Sequence, residues 1–172
     1  MADMKQVVDA LVRGRHGGLV ASAALGGLAL IAGLGLRALQ RGPAAEAGGQ
    51  APAAAAVSDD DATLFLRVMV AATAADGVID ARERGRLDAA VAESGLDVAA
   101  RQWIARELED PASIDEIADR VQDPEKAALV YAAARLAIDP DTMQERTFLR
   151  MLAEALDLDD DAVARVESGL AA

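Results

Sequence analysis

The chain has 172 residues, with 17 Lys and Arg against 29 Asp and Glu, for a formal net charge of -12. That length gives one ordinary domain plus an appendage, and that sign excludes a nucleic-acid binder, which needs a basic face to neutralise phosphates. There is no Cys and a single His, His16, so disulfide frameworks, thiolate zinc sites, Cys nucleophiles and His-rich metal sites are excluded as well.

Residues 1–16 form an amino-terminal segment, and from Gly17 to Leu36 twenty residues follow without a charge. At 1.5 Å per helical residue such a run reaches about 30 Å, the thickness of a hydrocarbon core. Arg13, Arg15 and His16 stand before it, and Arg37 and Arg41 behind. The pattern predicts a single-pass transmembrane helix over residues 17–37 that binds the chain to a membrane. The alternatives are a buried soluble helix and a cleaved signal peptide. A soluble helix would carry a polar face, and the run is longer than a signal core and has Asp3 and Asp9 in front of it. Gly14, Gly18, Ser22 and Gly26 line one stripe of this helix, the spacing through which two membrane helices pair, so a homo-oligomer is one expectation. A composition rich in Gly and Ala produces the same spacing without pairing. Lys5, Arg13 and Arg15 against Arg37 and Arg41 leave the orientation open. Residues 38–57, rich in Ala, Gly and Pro, read as a linker.

Residues 58–172 carry 26 acidic and 12 basic side chains, so all the acid excess lies in this head. Helix starts are marked in turn. Ser58 precedes Asp59, Asp60 and Asp61, negative charge at the positive end of a helix. Asp80 with Glu83 opens a second helix that Gly95 closes, and Asp97 caps a third through Trp103, Ile104 and Leu108. Ser113 with Glu116 boxes a short fourth. Asp123-Pro124 starts a fifth, EKAALVYAAARLAI, apolar nearly all round and therefore central. Thr142 with Glu145 boxes a sixth, and the seventh starts among Asp159, Asp160 and Asp161. No segment alternates as a strand does. The reading is all-α, a compact bundle of seven helices. The stretch around Glu83 aligns with that around Glu145 at an offset of 62 residues, which makes two similar halves.

The acidic turns are the candidate site. Asp76, Asp80 and Glu83 match the second half of an EF-hand loop, but Ala72 and Ala74 stand where its first ligands belong, so a conventional EF-hand is excluded. If the halves face each other, Asp139, Asp141 and Glu145 would complete an oxygen-rich site for Ca²⁺, Mg²⁺ or Mn²⁺. The competing reading leaves these carboxylates as helix caps and turn formers.

AADGVIDARE followed by AIDPDTMQERTFLRMLAEAL resembles the tellurite-resistance TerB-like family, and the glycine-rich segment in front resembles its YebE-like inner-membrane branch. The likeness covers residues 62–170 well and residues 1–57 only in layout. It implies an all-helical domain, a bacterial inner-membrane location, and a metal cluster of Asp76, Asp80, Glu83, Asp139 and Glu145, to which Asp141 is added by proximity. No nucleophile–base pair, phosphate-cradling loop or cofactor fingerprint is legible, and no enzyme is expected. The expected role is a membrane-tethered, stress-related adaptor or sensor that binds a partner protein and a divalent cation. The alternative is a structural membrane protein that self-associates through its glycine-rich span.

Overall fold

A computed structural model describes Lys5, Val8, residues 58–75 and residues 98–170. Among them are six α-helices and no strand: α1 Asp59–Thr73, α2 Val98–Glu109, α3 Ile114–Ala118, α4 Pro124–Ala137, α5 Met143–Ala155 and α6 Asp160–Leu170. The all-helical expectation holds. The described residues show six helices rather than seven, and the helix expected over 80–95 lies outside them. The span 17–37, the linker 38–57, the stripe Gly14, Gly18, Ser22 and Gly26, and the first of the two similar halves also lie outside. No helix among the described residues is long and apolar enough to cross a membrane.

The helix starts follow from short-range chemistry. Ser58 is extended, and its Oγ accepts the Asp61 amide at 3.0 Å while three acidic residues fill the first turn of α1. Asp123 Oδ1 accepts the Lys126 amide at 2.7 Å, with Pro124 beginning α4 where no amide partner is needed. Reciprocal boxes open α3 through Ser113 and Glu116 and α5 through Thr142 and Glu145. Asp159 Oδ1 accepts the Ala162 amide at 2.6 Å and so caps α6. Each cap satisfies amides that the helix itself cannot.

The core is the α1–α4 pair, which shares the most extensive contact among the described helices. α1 buries nine of its 15 residues and α4 eight of its 14. Ala62, Ala71 and Ala72 on α1 and Ala127, Ala128, Ala132, Ala133 and Ala134 on α4 are all buried. Small side chains on both helices let the axes approach closely. Phe65, Leu66 and Leu136 fill the remaining space and are almost fully enclosed. Val8 joins this core with no exposure, and Lys5 Nζ lies 3.2 Å from Asp59 Oδ1.

The other helices lean on this pair. α2 rests on α1, where Arg67 Nε lies 3.1 Å from Glu107 Oε1 and the guanidinium stands 5.6 Å from the Trp103 ring centre. The Nε proton is not aimed at an acceptor, so this contact is an ion pair and not a hydrogen bond. α3 sends Ile117 into the core and touches α1 and α5. α5 buries Leu149 and Leu152, and α6 packs Ala162 and Val166 towards α4.

Candidate functional site

Ile138, in extended conformation, ends α4, and the pre-proline position of Asp139 keeps the chain from resuming the helix before Pro140. The resulting turn carries three of the residues expected to hold a cation. Asp139 and Asp141 are exposed, and the Asp141 amide bonds the Asp139 carbonyl at 2.6 Å. Glu145 turns back to its cap: its Oε2 accepts the Thr142 amide at 3.0 Å and the Thr142 hydroxyl at 2.9 Å. No group of three or more acidic or imidazole side chains able to hold a metal forms among the described residues. The remaining expected ligands, Asp76, Asp80 and Glu83, lie outside them. The part of the proposed cluster that is described is therefore a capped turn, and one of its carboxylates is engaged as a capping acceptor.

That turn is also the lip of a cleft. Arg146 Nη1 donates to the carbonyls of Pro140 at 3.1 Å and Asp141 at 3.0 Å, which ties the turn to the first part of α5. Between α5, α6 and the end of α4 opens a half-enclosed cleft of about 500 Å³. Leu149, Ala153, Leu158 and Val163 supply its apolar floor, with Arg146 and Arg150 on one flank and Glu154 and Asp160 also lining it. Its width depends on how α5 ends. Asp157 takes φ 52°, the left-handed region, while the Leu158 amide bonds Ala153 and the Asp157 amide bonds Glu154. This pair of bonds is a Schellman stop, which turns the chain directly into α6 and sets the two helices as the walls of one groove.

Also lining the cleft, Glu167 of α6 is fixed by two donors from α4. Arg135 Nε donates to its Oε2 at 2.7 Å, and the Tyr131 hydroxyl donates to its Oε1 at 3.1 Å. Arg135 Nη1 also donates to the Ile138 carbonyl at 2.9 Å, so one guanidinium joins α6 to the end of α4. Burial, then the nearby Glu167 charge and its hydrogen bond, push the Tyr131 hydroxyl well above its ordinary range. Tyr131 therefore stays a protonated donor at any physiological pH. The arrangement offers oriented charges over an apolar floor, the chemistry of binding. Arg150 makes no ion pair among the described residues and stands exposed at the cleft. Met143 and Met151, on the same helix, are 71% and 49% exposed.

Sequence reasoning placed the capped turn but missed the Tyr131–Arg135–Glu167 network and the cleft. The one available signal was helical spacing. Tyr131 and Arg135 are four apart, on one face of a helix otherwise apolar beyond its first turn, and they call for a partner once that helix is central.

The chain is 24% identical over 112 residues, 65% of its own length and 81% of the relative's, to an uncharacterised protein from the ampR 5' region of Yersinia enterocolitica. No solved structure matches. Residues 4–170 match the family described as Protein of unknown function (DUF533). With nearly the whole length matched, head and amino-terminal third alike, the chain belongs to the DUF533 family.

Proposed function

We propose that this protein is a membrane-tethered binding module, TerB-like in kind and of the YebE-like branch, whose acidic head acts as an adaptor or sensor by holding a partner protein in the α5–α6 cleft. The tether is the uncharged run within residues 17–37, and the location is the bacterial inner membrane. The observation that carries the reading is the cleft itself: an apolar floor open to solvent, lined by Arg150, Glu154 and Asp160 and by a Glu167 oriented by Arg135. A floor of this kind fits apolar side chains of a partner segment, and the charged edge sets its register. Two exposed methionines, Met143 and Met151, stand on the same helix outside the cleft lining. A divalent cation adds to this reading only if Asp76, Asp80 and Glu83 bring further oxygens to the turn at Asp139, Asp141 and Glu145.

Photo-crosslinking in cells tests it. A photoreactive residue at Ala153 should give an adduct of defined mass with another protein, and one at Gln122, exposed on the loop before α4, should not. Equal adducts from both positions, or none from Ala153, would remove the cleft as the binding site. An adduct of twice the chain's own mass would favour self-association instead.

A further inference from the structure

The charges that line the α5–α6 cleft are sorted along its length. Arg146, Arg150 and Glu154 stand four residues apart on α5, so they form one row on one face of that helix, about 12 Å from first to last. The row begins at the turn after α4, where Arg146 Nη1 holds the carbonyls of Pro140 and Asp141. It ends beside the turn into α6. On the facing wall, Asp160 is the first residue of α6 and stands at that same second turn. Glu167, about two turns further along α6, belongs to the other end, because its partner Arg135 also donates to the Ile138 carbonyl. The Arg135 guanidinium, 2.7 Å away, offsets the Glu167 charge there. Asp139 and Asp141 stand on the first turn but outside the lining. The cleft thus presents arginines towards the turn after α4 and uncompensated carboxylates towards the turn into α6.

An occupant has to match this order. A partner segment of one sign gains at one end of the cleft what it loses at the other, and only a segment with opposite charges at its two ends is attracted at both. Between the ends the floor of Leu149, Ala153, Leu158 and Val163 takes apolar side chains. The backbone of the occupant is restricted as well. Among the described residues there is no strand, so the cleft offers no sheet edge on which an extended segment could pair its amides and carbonyls. A helix satisfies its own backbone and needs side-chain contact alone. Resting on the reading of the cleft as the partner-binding site, we infer that its occupant is an amphipathic helix of a partner protein, dipolar in charge. Its apolar stripe lies on the floor, an acidic side chain at one end meets Arg146 and Arg150, and a basic one about two turns away meets Glu154 and Asp160.

The test is charge reversal in the full chain with a photoreactive residue at Ala153. Arg150→Glu and Glu154→Arg are made separately; both positions are exposed, so the melting temperature should hold in each. A dipolar helix predicts that either reversal removes the adduct. A partner segment of one sign predicts that one reversal weakens the adduct and the other strengthens it, and an uncharged one predicts no change. Either of those results would overturn the inference and leave the cleft as a binding site. The partner residues captured from Ala153, and in a second chain from Val163, are then mapped by mass spectrometry. In a helix they fall three, four or seven apart in one segment. Neighbouring or alternate positions would overturn the helix, and an adduct of twice the chain's own mass would overturn the separate partner. No adduct from Ala153 in the parent chain would remove the cleft reading and the inference with it.

Discussion

The α1–α4 centre and the α5–α6 edge are built from opposite kinds of helix. α1 and α4 are buried on nearly every side and meet through alanines, so their side chains have little left to offer a ligand. α5 and α6 bury one stripe each and turn charged side chains to a shared groove. Stability is concentrated in the first pair and surface chemistry in the second. Besides the apolar packing of Leu149, Leu152, Ala162 and Val166, Tyr131 and Arg135 connect them by polar contacts, reaching out of the centre to hold Glu167. Substitutions in the centre should therefore cost folding, and substitutions at the cleft should cost binding.

The largest effect is expected in the centre. Leu136→Ala removes a side chain with no exposure and leaves a cavity, at a cost of about 2–5 kcal/mol in denaturant unfolding. A loss comparable to that of a surface substitution would mean that α4 is not the core helix described here. At the junction, Glu167→Ala leaves Tyr131 and Arg135 without their acceptor. Arg135 is largely covered and Glu167 about a third exposed, so the loss should be smaller, about 1–2 kcal/mol. Adducts from Ala153 should also weaken, because the cleft loses one of its oriented charges.

Smaller again is a cap on the edge. Thr142→Ala removes the acceptor for the Glu145 amide and should cost about 1 kcal/mol. If the same substitution abolished binding of Ca²⁺ or Mn²⁺ in calorimetry of the full chain, the turn would be more than a cap. The smallest effect carries a pH signature. Burial pushes the Asp61 carboxyl up, but hydrogen bonds from Lys126 and Ser58 outweigh that and hold it below its ordinary 3.8. Lys126 is raised above its ordinary 10.5, chiefly by the hydrogen bond to Asp61. A lowered acid stabilises the fold above its unfolded value and loses that contribution as pH falls through the folded one; a raised base does the reverse at high pH. Asp61→Asn should thus lower stability by about 0.5–1 kcal/mol at neutral pH, the pair being partly exposed. In thermal melts the gap from the parent chain should close below pH 3.8. A gap unchanged at pH 3 would show that the pair is not what Asp61 contributes.

Local chemistry was legible in the sequence and distant chemistry was not. The caps at Ser58, Ser113, Asp123, Thr142 and Asp159 are each decided within three residues, and the structure has all five. The central place of α4 followed from a surface that is apolar nearly all round. Glu167 lies 36 residues from Tyr131 and 32 from Arg135, and only the Schellman turn at Asp157 brings α6 back to them. Lys5 lies further still in sequence from its partner Asp59. The acidic turn was legible as residues but not as a site, because a carboxylate such as Glu145 serves a cap and a cation equally well on paper.

The division between centre and edge is tested most directly by crosslinking from Ala153 in an Arg150→Glu chain, with the melting temperature measured on the same protein. Arg150 is exposed at the cleft and should contribute to binding alone. The account predicts an adduct that disappears while the melting temperature stays unchanged. An undiminished adduct, or one lost only together with the fold, would contradict it.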